Sequence, residues 1–373
     1  MFRLPHRLNP HSFCARRVVT AALLLAAASP VGAQSSREHP YPVRRATSEI
    51  VVDGRVVEEA WADALTLELR YEVRPGENVE PPVRTEMFLA YDDTHLLVAF
   101  RCHDPDPSQI RARYTDRDNA WNDDFVGVVL DTFNDERRAY ELFVNAYGVQ
   151  MDAVNDDVAG NYDMAWGAIW DSAGRITDAG YEVEMAIPFN QIRFQDADGA
   201  QTWGIDGVRS YPRLQTRPHG DVLFTTRFER SDQIDFAHAR AGTEVRFQPA
   251  GTVNLGRHWL LQYTHTFNAF DLPQGRLFSA NVAEPRLVYQ INTRTFVRAI
   301  LQFTDIRRDT SLYRDPVEAE DRRLFTQFLF SYKVNPQTVL YLGYSDNSVG
   351  AQQFGLLRAD RTFFVKAGYA WLL

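Results

Sequence analysis

The C-terminal third of the chain alternates strictly between apolar and polar side chains, and this pattern restricts the possible folds more than any other feature. In "RHWLLQYTHTFNAF", Trp259, Leu261, Tyr263 and Phe267 fall on one face of an extended strand. Side chains of a β-strand point alternately to opposite faces, so a period of two predicts strands with one apolar face. "TFVRAILQFT", "RLFTQFLFSYK" and "RTFFVKAGYAWLL" repeat the pattern.

Alternating segments of about ten residues, with aromatic side chains near their ends, are typical of outer-membrane β-strands. We therefore predict antiparallel outer-membrane-type strands over residues 252–373, and a second soluble sandwich is the alternative. About six strands are expected, at residues 253–268, 276–290, 294–307, 321–334, 337–346 and 361–373. Known single-chain barrels have about eight strands or more. Six strands thus predict a partial barrel, a homo-oligomer that completes it, or strands borrowed from another protein.

Residues 41–248 carry shorter strands. These recur about every 8 to 12 residues with turn residues between them and without a long helix, which predicts an antiparallel β-sandwich. The segment Phe125–Leu130 is apolar on both faces, so it is predicted to be a central strand. Another strand is expected at Tyr181–Ile187, where Glu182 and Glu184 share the polar face and are predicted to be solvated.

The N-terminus has the features of an export signal. Arg16 and Arg17 precede the apolar run Val18–Ala28, and small residues lead to a cleavage site after Ala33. Residues 1–33 are therefore predicted to be a secretory signal peptide, since the run is too short to span a membrane. Cleavage leaves Cys102 as the one cysteine of the mature chain, which excludes an internal disulfide. We expect it to be a strand-end residue and not a nucleophile.

Charge and motifs argue against several classes of function. The net charge is −9 and no basic stripe is present, so nucleic acid is not an expected partner. The chain lacks G-x-S-x-G, H-E-x-x-H and P-loop motifs. A hydrolase acting on glycosidic bonds remains an alternative, because that chemistry needs only two suitably placed carboxylates. With 49 Asp and Glu residues, composition identifies no such pair.

Several ordered segments resemble the carbohydrate-binding family 9-like domain of bacterial surface proteins. They are "IVVDGRVVEEAWADA", "DDFVGVVLDTFNDERRAYELFVNAYGVQMDA", "WDSAGRITDAGYEVEMAIPFNQIRF" and "QTWGIDGVRSYPR". The resemblance covers about residues 45–215 and implies a jelly-roll-like β-sandwich that binds glycans. In that family a large outer-membrane β-barrel follows, and "FDLPQGRLFSANVAEPRLVYQINTRTFVRAILQF" is similar to its last strands. Because most of that barrel is missing here, a degenerate remnant is a further alternative.

The resemblance also implies a binding site. Sugar rings stack on aromatic side chains, while carboxylates and amides hydrogen-bond to hydroxyl groups. The expected ligand-binding residues are Trp121, Asn122, Asp124, Tyr162, Trp166 and Trp170. Trp166 and Trp170 share a strand face, so core packing is the alternative for at least one of them.

Relatives in the family hold structural calcium, and oxygen-rich loops supply the ligands that Ca²⁺ prefers. The expected metal ligands are Asp123, Asp131, Asp156 and Asp163, with local turn formation as the alternative for each. Together these expectations describe an exported protein of polysaccharide capture or utilisation, placed in the outer membrane by the barrel-assembly machinery. Its N-terminal domain is expected in the periplasm, and its ligand is a polysaccharide or oligosaccharide.

Overall fold

The computed structural model describes residues 40–74, 76–195, 200–214, 222–235, 239–335, 337–351 and 354–369. The predicted signal peptide, and the last predicted aromatic position, Trp371, lie outside the described residues. The described chain is all-β and forms three sheets, which confirms the predicted class. In the same residues, no helix is long and apolar enough to cross a membrane.

The first part of the chain contains eleven strands and one short α-helix. They are β1 Arg44–Arg45, α1 Glu59–Ala62, β2 Leu65–Glu68, β3 Thr85–Tyr91, β4 His95–His103, β5 Phe125–Asp131, β6 Arg138–Asn145, β7 Gln150–Asp156, β8 Asn161–Asp163, β9 Asp171–Thr177, β10 Gly180–Pro188 and β11 Gly204–Ser210. The first sheet has the order β1-β3-β4-β10-β9, with β2 also paired to β3, and the second has the order β11-β5-β6-β7-β8. Only the β1–β3 pair is parallel among these described strands.

The two sheets pack face to face as a β-sandwich. Val126 and Val128 of β5 join Phe100 of β4 and Val183 of β10 in one fully buried cluster. Complete burial of such a side chain stabilises the fold by about 1.5–3 kcal/mol. Strand β5 lies between β11 and β6, so the prediction of a central strand at Phe125–Leu130 is confirmed. An all-apolar run is what a strand buried on both faces requires.

The N-terminal segment, residues 46–64, covers the outer face of the first sheet. Val56 and Trp61 pack against Phe88 and Ala186 in a second buried cluster. This cover changes the environment of every polar side chain on that face of β10. Glu184, which was predicted to be solvated, is completely buried there.

The C-terminal part forms one antiparallel sheet in which the strands follow chain order from β12 to β19. They are β12 Val222–Asp235, β13 Arg240–Leu255, β14 Trp259–Leu272, β15 Gly275–Gln290, β16 Thr295–Arg308, β17 Glu320–Asn335, β18 Thr338–Ala351 and β19 Phe354–Gly368. The six predicted strands correspond to β14–β19, and the described sheet has eight strands because β12 and most of β13 precede residue 252. The predicted strand 253–268 is divided by a tight turn at Gly256, whose φ of +59° suits glycine.

Residues 222–248 were expected to complete the sandwich, but they form β12 and part of β13 in the third sheet. Strand β12 carries Arg227 and Glu229 on one face, and these charges obscure the apolar alternation of Phe224 and Phe228 on the other. The described strands form an open sheet, because β12 and β19 are its edges and do not pair with each other. The expected partial barrel is therefore observed as an open eight-stranded sheet.

The register of the third sheet confirms that the alternating residues share one face. Leu261 of β14 pairs with Leu287, which pairs with Ala299, and the row continues through Phe328. Most large apolar side chains of this face are exposed. We call this surface the apolar face; its members include Val253, Trp259, Tyr263, Tyr289, Val297, Leu301, Phe303, Phe330, Tyr332, Leu342, Phe363 and Val365.

Candidate functional site

The outer face of the second sheet carries the residues best placed to contact a ligand. Strand register aligns Asp206 of β11, Val129 of β5 and Glu141 of β6 in one row across the sheet. Their neighbours along the strands, such as Val128 and Leu142, point into the sandwich core. Because side chains alternate along a strand, the Asp206 row points outward.

Trp121 lies on this outer face. Its ring packs edge-on against Phe125, with centroids 6.1 Å apart, and against Phe143, with centroids 5.8 Å apart. The indole is half-buried, and its Nε1–H has no hydrogen-bond partner among the described residues. The prediction of an exposed stacking ring is thus met only in part, because one edge of the ring covers a small apolar cluster.

Tyr162 approaches the same face from the edge strand β8. Its hydroxyl donates a hydrogen bond of 2.6 Å to Oε2 of Glu141, and its side chain is 39% exposed. Burial and the neighbouring Glu141 carboxylate raise the pKa of Tyr162, so the phenol remains a donor at neutral pH. Trp121 contacts Phe143, and Tyr162 contacts Glu141. Glu141 and Phe143 are neighbouring positions on the outward face of β6. The two predicted aromatic residues therefore border one surface with a carboxylate between them.

Glu141 was missed by sequence reasoning. It alternates with Tyr140 and Leu142 and has the pattern of an ordinary solvated strand residue. In the structure it is only 7% exposed. A nearly buried carboxylate on an outward face is an uncommon arrangement, since charged groups are seldom buried without partners.

The segment before β5 turns two of the predicted residues inward. Asp123 accepts hydrogen bonds from the backbone N–H of Arg113 at 3.1 Å and from Nδ2 of Asn145 at 2.9 Å. Asp124 accepts from the backbone N–H of Arg111 at 2.8 Å and from the Arg213 guanidinium at 2.7 Å. Burial raises the pKa of both carboxyl groups.

Both aspartates therefore close the loop that carries Trp121, and neither is presented to a ligand or a metal. Asn122, between Trp121 and Asp123, is exposed. Its role in ligand binding stays a prediction.

The other predicted tryptophans belong to the sandwich core. Trp170 is 4% exposed, and its Nε1 donates to Asp152 at 3.4 Å. Trp166 is half-buried and packs against Tyr140, with ring centroids 5.1 Å apart. The predicted ligand role of Trp170 is not supported, because its ring fills the space between the sheets.

The remaining predicted metal ligands act in their own turns. Asp131 accepts from the backbone N–H groups of Phe133 and Glu136, at 3.2 and 2.7 Å. Asp156 accepts from the N–H of Ala159 at 2.9 Å. Asp163 accepts from the N–H of Ala165, also at 2.9 Å. Short polar side chains commonly cap turns in this way, which was the alternative given for them.

A different group of acidic residues comes together on the first sheet. Carboxylate oxygens of Asp53, Glu58 and Glu184 lie within 4.8 Å of one another, and this group could hold a metal ion. Among the described residues it is the one group of at least three potential ligands at this spacing. None of its members was predicted as a ligand, because Glu184 lies about 130 positions after Asp53 and Glu58 in the chain.

Glu184 already accepts hydrogen bonds from several donors. Its Oε2 accepts from the backbone N–H groups of Asp53, Gly54 and Arg55, at 3.0, 2.9 and 3.2 Å. Its Oε1 accepts from Nε1 of Trp61 at 2.9 Å. Gly54 has a φ of +84°, which helps three successive N–H groups converge on one oxygen. Glu184 therefore anchors the N-terminal segment.

A buried charge cluster closes one end of the sandwich. The Arg213 guanidinium contacts Asp104 and Asp124, and the Arg209 guanidinium lies 3.9 Å from Asp104. Two positive and two negative groups thus compensate each other away from water. Cys102 is buried nearby, and desolvation raises the pKa of its thiol to about 11. A thiol with this pKa is a poor nucleophile, in agreement with its predicted structural role.

The loop carrying Trp121 is also held by the third sheet. Tyr114 stacks between Tyr147 and His258, with centroids 4.8 and 5.1 Å away. Its backbone N–H donates to the carbonyl of Arg257 at 2.9 Å. Lys333 pairs with Asp116 in the same loop. Both contacts come from the end of the third sheet that carries the β13–β14 turn.

A cleft of about 720 Å³ lies on the first sheet and is lined by Arg45, Asp92, His95, Asp171 and Arg294, among other residues. Its described lining includes no Trp, Tyr or Phe side chain. It therefore lacks the stacking surface that sugar rings use, whereas the outer face of the second sheet is bordered by Trp121 and Tyr162.

A family model described as "Carbohydrate family 9 binding domain-like" matches residues 52–209. This part of the chain is similar to the carbohydrate family 9 binding domain. One similar solved structure is a carbohydrate binding module family 9 from Caldicellulosiruptor kristjanssonii in complex with cellotriose. Its sequence identity is 16% and its TM-score is 0.31, over 44% of this chain and 74% of that chain. Comparison with curated proteins gives no match.

Proposed function

We propose that the family 9-like sandwich binds an oligosaccharide or polysaccharide on the outer face of the second sheet. The observation that carries the proposal is the placement of Trp121 and Tyr162 on that face, with Glu141 between them. The family match over residues 52–209 supports a glycan as the class of ligand. The module is thereby proposed to serve polysaccharide capture.

The chemistry of the three side chains suits a sugar. The exposed part of each aromatic ring offers an apolar surface for the C–H face of a pyranose, while the carboxylate accepts hydrogen bonds from hydroxyl groups. Hydrogen bonds to a charged acceptor contribute about 1.5–3 kcal/mol each, and the poor hydration of Glu141 favours the upper part of that range.

The test is a screen of the intact chain against a broad glycan panel that includes cellotriose, the ligand of the C. kristjanssonii module. We expect at least one glycan to bind. Trp121→Ala should weaken binding by about 10-fold or more, corresponding to about 1.4 kcal/mol. Tyr71→Ala is the matched control, since that tyrosine is exposed but lies in a different part of the chain. Equal loss in both variants, or no binding by a folded protein, would contradict the proposal.

The same incubations address the hydrolase alternative. Release of reducing ends, abolished by Glu141→Gln, would favour glycoside hydrolysis over binding alone. Binding without product release supports the proposed non-catalytic role.

We further propose that the third sheet places the protein in the outer membrane. On the apolar face of β14 the band from Trp259 to Phe267 contains no Asp, Glu, Lys or Arg, although it includes His265; it is about 26 Å long at roughly 3.3 Å per residue. In β16 it extends from Val297 to Phe303, about 20 Å. These lengths suit the apolar band of outer-membrane proteins, about 25 Å. Beyond the band the same face becomes charged at Asp305.

The opposite face of the sheet is richer in polar groups. Arg246 pairs with Glu244 at 2.9 Å, and Arg286 pairs with Glu284 at 3.1 Å. A sheet with one apolar and one charged face suits a boundary between lipid and water. The β13–β14 and β15–β16 turns lie beside the sandwich, where His258 stacks on Tyr114 and Arg294 lies 3.8 Å from Asp171. The longest connection of the sheet, residues 309–319, lies at the opposite end, and outer-membrane proteins place their longer loops outside the cell. The sandwich is therefore proposed to be periplasmic.

Protease treatment of intact Gram-negative cells tests this location. We expect the protein in the outer-membrane fraction, with the sandwich protected until the outer membrane is permeabilised. Recovery of the full chain as a soluble periplasmic protein would contradict membrane placement without affecting the glycan proposal.

A calcium ion at Asp53, Glu58 and Glu184 is the cofactor proposal, based on the carboxylate donors alone. Because Glu184 already accepts four N–H groups, Asp53 and Glu58 would supply most of the coordination. Thermal unfolding of the intact chain with Ca²⁺ and with chelator tests it. Stabilisation by Ca²⁺ should disappear in the Asp53→Asn, Glu58→Gln double variant. Identical unfolding temperatures with and without Ca²⁺ would contradict it.

A further inference from the structure

The two edges of the third sheet are long and unprotected. Strand β12 has 14 residues and β19 has 15, and neither edge has a described partner strand. Nearly all described side chains of both strands are exposed on both faces of the sheet. An edge of this kind presents a row of free backbone donors and acceptors to another strand. In a membrane, such groups are strongly destabilising when they remain unpaired.

The apolar face continues to both edges and is most exposed there. Phe224 on β12 is 68% exposed and Phe363 on β19 is 75% exposed, compared with 38% for Val297 in the middle of the sheet. Both edge residues belong to the same face by register. A strand added at either edge would therefore extend the apolar face and cover these side chains.

The strand directions allow the two edges to pair with each other. All seven strand pairs of the sheet are antiparallel, so β12 and β19, the first and eighth strands, run in opposite directions. An antiparallel ladder between β12 of one molecule and β19 of another is thus compatible with the existing sheet. A two-fold axis would form two such ladders at once and leave no free edge.

We infer that a second copy of this chain is the partner of both edges, giving a closed sheet of sixteen strands. The inference rests on the proposed membrane location. Rigid association of two open sheets keeps all seven existing ladders of each copy. Closure of one sheet on itself would instead require strong additional curling, since both edge strands are now exposed on both faces.

The charged side chains of the polar face also favour two copies. This face carries Arg227, Glu244, Arg246, Arg286 and Arg298 among other residues. An eight-stranded closed sheet has an interior that side chains fill, whereas sixteen strands enclose an aqueous space. Among the described residues, the Arg298 guanidinium donates to Oε1 of Gln327 at 3.4 Å, and an aqueous interior would hydrate its other N–H groups. Sixteen strands also lie within the range of known outer-membrane proteins.

Disulfide cross-linking of the full chain in the outer membrane of a Gram-negative host tests the inference. One tagged copy carries Phe363→Cys, and a second copy with a different tag carries Phe224→Cys, Thr226→Cys or Phe228→Cys in turn. Native Cys102 is buried and should give little background. We expect oxidation to convert most of the protein, for at least one of these pairs, into a covalent dimer that carries both tags.

Two controls define the alternatives. Val297→Cys with Phe330→Cys in one chain joins residues that are already cross-strand partners, and it marks the mobility of an internally cross-linked monomer. Val297→Cys replacing the edge cysteine in the two-copy experiment should give no dimer, because it lies in the middle of the sheet. A further experiment places Phe363→Cys and one of the β12 cysteines in the same chain. These combined variants should again give dimers, because the cross-link is expected between two copies.

An internally cross-linked monomer from those combined variants would overturn the inference in favour of closure within one chain. So would absence of cross-linking at all three β12 positions together with a monomeric mass in detergent. Fractionation of the same samples separates this failure from failure of the membrane proposal. Protein that never reaches the membrane contradicts the latter, whereas monomeric membrane protein contradicts the second copy alone.

Discussion

Replacing Glu184 with glutamine should test how the N-terminal segment is attached to the sandwich. The carboxylate accepts four N–H groups at 2.9 to 3.2 Å. Glutamine keeps one carbonyl oxygen, which can serve the three backbone donors. Its NH₂ group then faces Nε1 of Trp61, so a donor opposes a donor. The variant loses one hydrogen bond entirely and the charge assistance of three others.

The size of the effect follows from two opposing contributions. Hydrogen bonds to a charged acceptor contribute about 1.5–3 kcal/mol each but are not additive. Burial raises the pKa of Glu184, which means that ionisation of the native side chain carries a desolvation cost that glutamine avoids. We therefore expect a loss of about 2–3 kcal/mol in the free energy of unfolding. For a domain of this size that lowers the melting temperature by about 4–12 °C.

Thermal unfolding of the intact chain in mild detergent, followed by near-ultraviolet circular dichroism, measures the change. Glu58→Gln, measured like the other variants in the presence of chelator, is the matched control, because Glu58 belongs to the same acidic group but is only half-buried. It should change stability by less than about 0.5 kcal/mol. Trp61→Phe removes the indole donor, so its effect should be smaller in the Glu184→Gln background. A Glu184→Gln protein as stable as the native chain would refute the anchoring role.

Three other predictions concern the sandwich. Trp170→Ala should destabilise the fold by about 3–5 kcal/mol in chemical denaturation, because the Trp170 ring lies in the core. Asn122→Ala should leave stability unchanged, because Asn122 is exposed. Burial raises the pKa of Asp123, so its carboxyl group binds a proton more tightly in the folded chain than in the unfolded chain. Its contribution to stability should therefore grow as pH falls from 7 towards about 4, and unfolding curves of Asp123→Asn should lack this gain. His258→Ala removes one ring stacked on Tyr114. It should increase hydrogen exchange in residues 114–122 without unfolding the sandwich, and unchanged exchange there would count against coupling of this loop to the third sheet.

Local sequence patterns predicted the strands better than the arrangement of the sheets. The apolar run Phe125–Leu130 and the alternation at Val297–Phe303 are properties of single strands, and both agree with the structure. Strand β12 was missed because Arg227 and Glu229 alternate with its apolar residues and resemble an exposed loop. The turn at Gly256 was missed because apolar residues continue on both sides of it.

The site was predictable only where a residue lies in a local feature. Trp121 and Tyr162 flank polar turns, and both reach the outer face of the second sheet. Trp170 is also followed by an aspartate, but its ring points inward, and this direction depends on pairing between distant strands. Glu184 is buried by a segment about 130 residues earlier in the chain, which no local pattern records.

Hydrogen exchange of the intact chain, with and without the glycan that binds most tightly, locates the binding surface on the sandwich. We expect protection in the segments around Trp121, Glu141 and Tyr162, and none at the first-sheet cleft around Asp92. Protection at that cleft with no change on the outer face of the second sheet would contradict the proposed site.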